Sequence, residues 1–192
     1  MSRLHRSLPW LLTACVALLA AGCTPDNAPN PDAKKVISAC LAVSADDASK
    51  ILGATVTANR MTGDDTPISV CAYKDAGNVT VALIQIDKDG KYPDQAAALA
   101  AQQKKEQNLF SGNIKQPVFH PASGLMPGSY YGDVTPRFDA LEVELGTFEA
   151  NQKTTVVINN PKDFATGEKQ AADIAHKAFE SIQNGTAYAT LQ

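Results

Sequence analysis

The first 23 residues constrain the rest of the chain most strongly. Arg3, His5 and Arg6 form a short basic opening, residues 8–21 are almost wholly apolar, and the small residues Ala20, Ala21 and Gly22 lead into Cys23. Basic, apolar and small segments in that order are the plan of a secretory signal. The apolar run is well short of the about 20 residues that a membrane-crossing helix needs, and Pro9 lies inside it. Removal of residues 1–22 is therefore expected, and the remainder would fold in an oxidising compartment.

Ala20-Ala21-Gly22-Cys23 resembles the lipobox of bacterial lipoproteins, with Ala20 where that family usually carries leucine. The resemblance implies a diacylglyceryl thioether on Cys23, which then becomes the acylated N-terminus. Thr24 stands where lipoproteins kept at the inner membrane commonly have aspartate, so the resemblance implies the periplasmic face of the outer membrane in a two-membrane host. One acyl chain binds membrane only marginally, whereas two or three hold a protein stably. Residues 24–34, TPDNAPNPDAK, lack apolar periodicity and read as a tether. Extended at about 3.1 Å per residue, it reaches roughly 35 Å. The expected plan is a signal over 1–22, a lipidated N-terminus and tether over 23–35, one domain over 36–185, and a frayed tail over 186–192.

The whole chain has 17 Lys and Arg against 20 Asp and Glu, net −3. The signal takes two arginines and no acid with it, leaving the mature part at −5. A mildly acidic chain without a basic cluster is a poor nucleic-acid binder. Trp10, the only tryptophan, lies in the signal, so no Trp platform is left to stack sugars or bases. With Cys15 in the signal and Cys23 given to lipid, Cys40 and Cys71 remain. A disulfide is the default for such a pair. The alternative, a redox or metal-binding pair, lacks both a C-x-x-C motif and a nearby histidine in sequence.

Ser44-Ala45-Asp46-Asp47 resembles a capping box, followed by an apolar face of Ala48, Ile51 and Leu52 and a stop at Gly53. Strands are expected over 55–57, 69–74 and 79–86, the last two joined by the turn Asp75-Ala76-Gly77-Asn78. An alanine-rich helix follows over 95–110. Residues 129–132, 141–145 and 154–159 read as further strands; Leu141-Glu142-Val143-Glu144-Leu145 alternates as a half-buried strand should. Ala171, Ile174, Ala175, Ala178, Phe179 and Ile182 form the best helical stripe in the chain, closed by Gly185. Strands followed by a helix thus occur twice, over 54–110 and 116–184. The expected fold is α+β: an antiparallel sheet with helices packed mainly on one face, both long helices among them, a possible pseudo-repeat, and one disulfide.

Cys40, the capped helix, Leu52-Gly53-x-x-Val56, Cys71-x-Tyr73, Gly124-Leu125, Tyr130-Tyr131 and the final Ala-rich helix resemble a second group: secreted bacterial lipoproteins with a two-cysteine α+β domain. Gly124-Leu125-Met126 stands where that family often has Gly-Leu-Gly. This resemblance implies a fold over most of the mature chain rather than an activity.

Chemistry-bearing motifs are few. His176 lies off the apolar stripe and reads as a solvated surface residue. His120, in the Pro-rich segment 116–121, can pair with Asp133 or Asp139 as a proton carrier. The chain has no G-x-S-x-G, S-x-x-K or H-E-x-x-H. Asp87-x-Asp89-Gly90 echoes a calcium loop, but the register puts Gln85 at position 1 and Ala96 at position 12, so the motif fails; Asp94 reads instead as a helix N-cap. Asp64-Asp65 reads as an acidic loop tip. No metal or cofactor is expected.

Phe119, His120, Tyr130, Tyr131 and Phe138 gather in the long segment 116–139 and form the expected binding surface, since long ordered loops are often functional and tyrosine suits protein contacts. The leading expectation is a non-enzymatic envelope lipoprotein that binds a protein partner as accessory, inhibitor or immunity-type factor. A carrier of a small ligand is the alternative, and a hydrolase using His120 the third reading.

Overall fold

The computed structural model describes residues 34–63, 66–88, 92–109, 117–135, 140–149 and 151–190. The signal, Cys23, Asp64-Asp65, Asp89-Gly90, Phe138 and Asp139 lie outside them. The fold is that of the unit spanning residues 32–192. Among the described residues no helix is long and apolar enough to cross a membrane.

Local chemistry starts and stops the elements as the sequence leads one to expect. Ser44 caps α2 (Ala45–Leu52): its hydroxyl accepts from the Asp47 amide at 3.1 Å, and Gly53 ends the helix at φ 72°. β3 (Ile68–Lys74) and β4 (Thr80–Asp87) are joined by the expected turn, where Asn78 takes φ 62° and the Asp75 carboxylate accepts from the Val79 amide at 2.9 Å. Asp94 caps α3 (Gln95–Leu109), accepting from the Ala97 amide at 2.9 Å.

The sheet adds β2 (Thr57–Arg60), β5 (Val118–Pro121), β6 (Tyr130–Val134), β7 (Glu142–Glu149) and β8 (Gln152–Asn159). Its order is β2-β3-β4-β8-β7-β6-β5 with every described neighbour pair antiparallel. Alternation sends Ile84, Ile86, Val143, Leu145, Val156 and Ile158 to one face. There they meet Ala171, Ile174, Ala175, Ala178 and Ile182 of α4 (Phe164–Gln183), the expected stripe. Small side chains let α4 come close: a Cβ on Gly167 would lie 2.7 Å from Val143 Cγ2.

α1 (Ala39–Ala42) and α2 pack on the same face. The Cys40–Cys71 disulfide ties α1 to β3, with the Cα atoms 5.1 Å apart. Beside it the Ser69 hydroxyl accepts from the Ala39 amide at 2.8 Å, and the buried Tyr73 hydroxyl donates to the Val43 carbonyl at 2.7 Å. The fold is thus α+β with one disulfide and helices mainly on one face.

Three expectations change. α3 crosses the opposite face of the sheet from α4, because it has no apolar stripe to bury beside α4; among its described side chains Leu99 is the fully buried one. The strands-then-helix order does recur, but its two helices fall on opposite faces. The tail is not frayed over its described part: β9 (Tyr188–Thr190) pairs with β1 (Lys35–Ile37). Residues 118–121, read as loop, are the edge strand β5, whose backbone pairs with β6 from Val118↔Asp133 to Pro121↔Tyr130.

Candidate functional site

Among the described residues, the expected aromatic surface does not gather on one exposed face. Tyr130 and Tyr131 are consecutive on β6 and therefore face opposite sides of the sheet. Tyr130 is 3% exposed and Tyr131 8%. Phe119 is half-buried and meets Tyr130 edge-on, ring centroids 5.5 Å apart. Burial in two separate layers, not display, is what these rings do. Their β-propensity and apolar area suit them equally to both roles, which is why sequence did not distinguish them.

What the α3 side of the sheet contains is a cleft. Near its N-terminal end α3 is anchored by Leu99, which packs with Phe148 and Tyr130. Tyr92 adds an edge-on contact to Phe148, centroids 5.2 Å apart. Further along, α3 is held by polar links. Gln102 Nε2 donates to Glu144 Oε1 at 3.3 Å and to Thr155 Oγ1 at 3.1 Å. The Tyr130 hydroxyl lies 3.1 and 3.2 Å from the two Glu106 oxygens and 3.3 Å from Glu144 Oε1. Between helix and strands lies a cavity of about 650 Å³. Ile68, Leu83 and Val157 form an apolar wall, with Ala98 and Ala101 opposite on the helix.

The polar end has unusual electrostatics. Burial, and then the neighbouring Glu106, push the Glu144 carboxyl up to about 8. The shift favours the protonated carboxyl, whose proton can bridge to Glu106. Tyr130 has one hydrogen for three nearby oxygens; burial and the two acids hold its hydroxyl protonated well above the usual tyrosine range. Gln102 Oε1 is buried without a hydrogen-bond partner. Such an acceptor costs about 1–3 kcal/mol unless something donates to it.

Sequence reasoning missed Glu144 because its alternation, correctly read, placed it on the face opposite the core. Only the placement of α3 covers that face.

On the α4 side, His120 does pair with Asp133, as one of its two expected partners: Nε2 is 3.3 Å from Asp133 Oδ2. A second carboxylate arrives from α4, with Glu168 Oε1 3.4 Å from the same nitrogen. The His120 ring also lies against Tyr131, centroids 5.5 Å apart. Asp133 Oδ1 is buried without a hydrogen-bond partner. Glu168 was missed, although a signal existed: it sits three and seven residues before Ala171 and Ala175, so it shares the sheet-facing side of the stripe. His176 is exposed on α4, as expected.

No protein-family model matches this chain, and neither a curated protein nor a solved structure matches it either.

Proposed function

We propose that this chain is a lipid-anchored envelope protein whose domain binds a small amphipathic molecule in the cleft between α3 and the sheet. The observation that carries the reading is the cleft itself: about 650 Å³, with apolar walls and a polar part lined by Gln102, Glu106, Glu144, Lys105 and Lys153. Ligand sites are typically concave, mostly apolar and furnished with a few placed polar groups, at about 300–1,000 Å³. The apolar wall takes a hydrocarbon or ring body. The polar end favours a neutral head that donates hydrogen bonds, because Gln102 Oε1 has no donor, while Lys105 and Lys153 in the same lining offset Glu106 and Glu144.

The anchor rests on the N-terminal motif, and it would keep the cleft at a membrane surface where amphipathic molecules are concentrated. A protein-binding role was expected on an exposed Tyr130–Tyr131 surface; with both rings buried, the cleft is the better-supported site.

The test uses the full-length chain purified in mild detergent and 1-aminoanthracene, an apolar fluorophore with an amine. Saturable binding in wild type, lost in Val157→Trp and Leu83→Trp, supports the cleft. Both substitutions put an indole into the apolar wall at half-buried strand positions that accept aromatics. Binding that survives both substitutions would send the site elsewhere.

A further inference from the structure

His120, Asp133 and Glu168 come from three elements, β5, β6 and α4, and converge on one point. We propose that they form a divalent transition-metal site, matched to Zn²⁺. The proposal is independent of the cleft, which lies on the other side of the sheet.

One donor atom from each residue lies within 4.8 Å of the others. The two distances from His120 Nε2, 3.3 and 3.4 Å, are the separations that tetrahedral geometry sets between ligand atoms about 2.0–2.1 Å from a zinc ion, roughly 3.3–3.4 Å. One imidazole and two carboxylates are ordinary zinc ligands, and three protein ligands leave a fourth position for water or a substrate atom.

Two carboxylates face a single imidazole nitrogen, which can offer one hydrogen to one of them. A dication neutralises both carboxylates and takes the lone pair of the neutral ring. Proton and ion thus differ in what they satisfy: the proton serves one pair, the ion the whole cluster.

Asp133 is 13% exposed, Glu168 27% and His120 38%, so an ion can enter. The cluster nevertheless stands on paired strands and a packed helix rather than on loops, which keeps ligand positions precise. Asp133 Oδ1, buried without a hydrogen-bond partner, would give the ion a second carboxylate oxygen to draw on. An ion here would staple the edge strand β5 to α4.

Isothermal titration of Zn²⁺ into untagged, EDTA-stripped full-length protein in mild detergent tests the site. One equivalent should bind, and thermal unfolding should shift upward with zinc. Losing a second-layer partner of a metal site costs about 10–100-fold, so loss of a direct ligand in His120→Ala or Glu168→Gln should weaken binding by roughly a hundredfold or more. Glu168→Gln is isosteric and half-exposed, so it tests the site without threatening the fold. His176→Ala, removing the other histidine of the mature chain, should leave binding unchanged. Cobalt(II) should give the visible absorption of a four-coordinate ion, lost in His120→Ala. Failure of wild type to bind zinc, or wild-type affinity retained in Glu168→Gln and in His120→Ala, would overturn the proposal.

Discussion

Tyr130 stands over Gly146, its cross-strand partner, so closely that a Cβ on the glycine would lie 2.5 Å from the tyrosine ring. The missing side chain is what lets the ring lie down on β7 and point its hydroxyl at Glu106 and Glu144. Gly146→Ala must push the ring away, and overpacking of this kind costs about 1–3 kcal/mol. Urea unfolding should show that loss. In Tyr130→Ala/Gly146→Ala the alanine meets no ring, so the two substitutions should cost much less than their sum. Additive losses would mean the contact is not the cause.

Glu144 ties stability to pH with a definite sign. Its folded value, about 8, stands above the model-compound value of 4.5, so between those limits the folded state holds more protons than the unfolded chain. Stability from this group is fully present below about pH 4.5, falls as pH rises towards 8, and is flat above, with a slope of at most about 1.4 kcal/mol per pH unit. Glu142, raised by its own burial, acts in the same direction. Urea midpoints at pH 5, 6.5 and 8.5 should decline in that order for wild type. Glu144→Gln should flatten most of the decline; an unchanged profile would count against the shared-proton account.

Reduction of Cys40–Cys71 opens a loop with a sequence separation of 31, worth roughly 3–4 kcal/mol in loop-closure entropy. Dithiothreitol should lower the unfolding midpoint, and Cys40→Ser/Cys71→Ser should match the reduced protein. A midpoint insensitive to reductant would show that α1 is held by Ser69, Tyr73 and packing alone.

Removing residues 186–192 should destabilise the domain rather than trim a loose end. The truncation deletes β9, the fully buried Ala187, and the bond from the Ser38 amide to the Ala187 carbonyl at 2.8 Å. Hydrogen exchange should then rise over residues 35–38; unchanged protection there would mean that β9 contributes nothing to holding β1.

Cys23→Ala tests the anchor without touching the domain. The wild-type protein should sediment with membranes and require detergent for release, and the variant should partition to the soluble fraction. Equal membrane association of the two would remove lipid on Cys23 from the account.

Much of the fold was legible because it is written locally. The Ser44 cap, the Asp75–Asn78 turn, the alternation through Val143 and Leu145, and the stripe from Ala171 to Ile182 each depend on residues a few positions apart. The two boundaries that shifted most, β5 and β9, are short strands whose stability comes from their partners: Val118–Pro121 needs β6, and Tyr188–Thr190 needs β1 from the far end of the chain. Neither carries a period long enough to announce itself.

Sequence alone determined the Cys40–Cys71 pairing, the main strands and the buried face of α4, because each follows from short-range periodicity or composition; the proposal of export and anchoring rests on the N-terminal pattern. The tertiary structure decided which face α3 covers, that Glu144 on the outward face of β7 is half-buried beneath it, and that Glu168 joins His120 and Asp133. Those outcomes link residues such as Gln102 and Glu144, 42 positions apart. They emerge from the packing of whole elements, which no local pattern encodes.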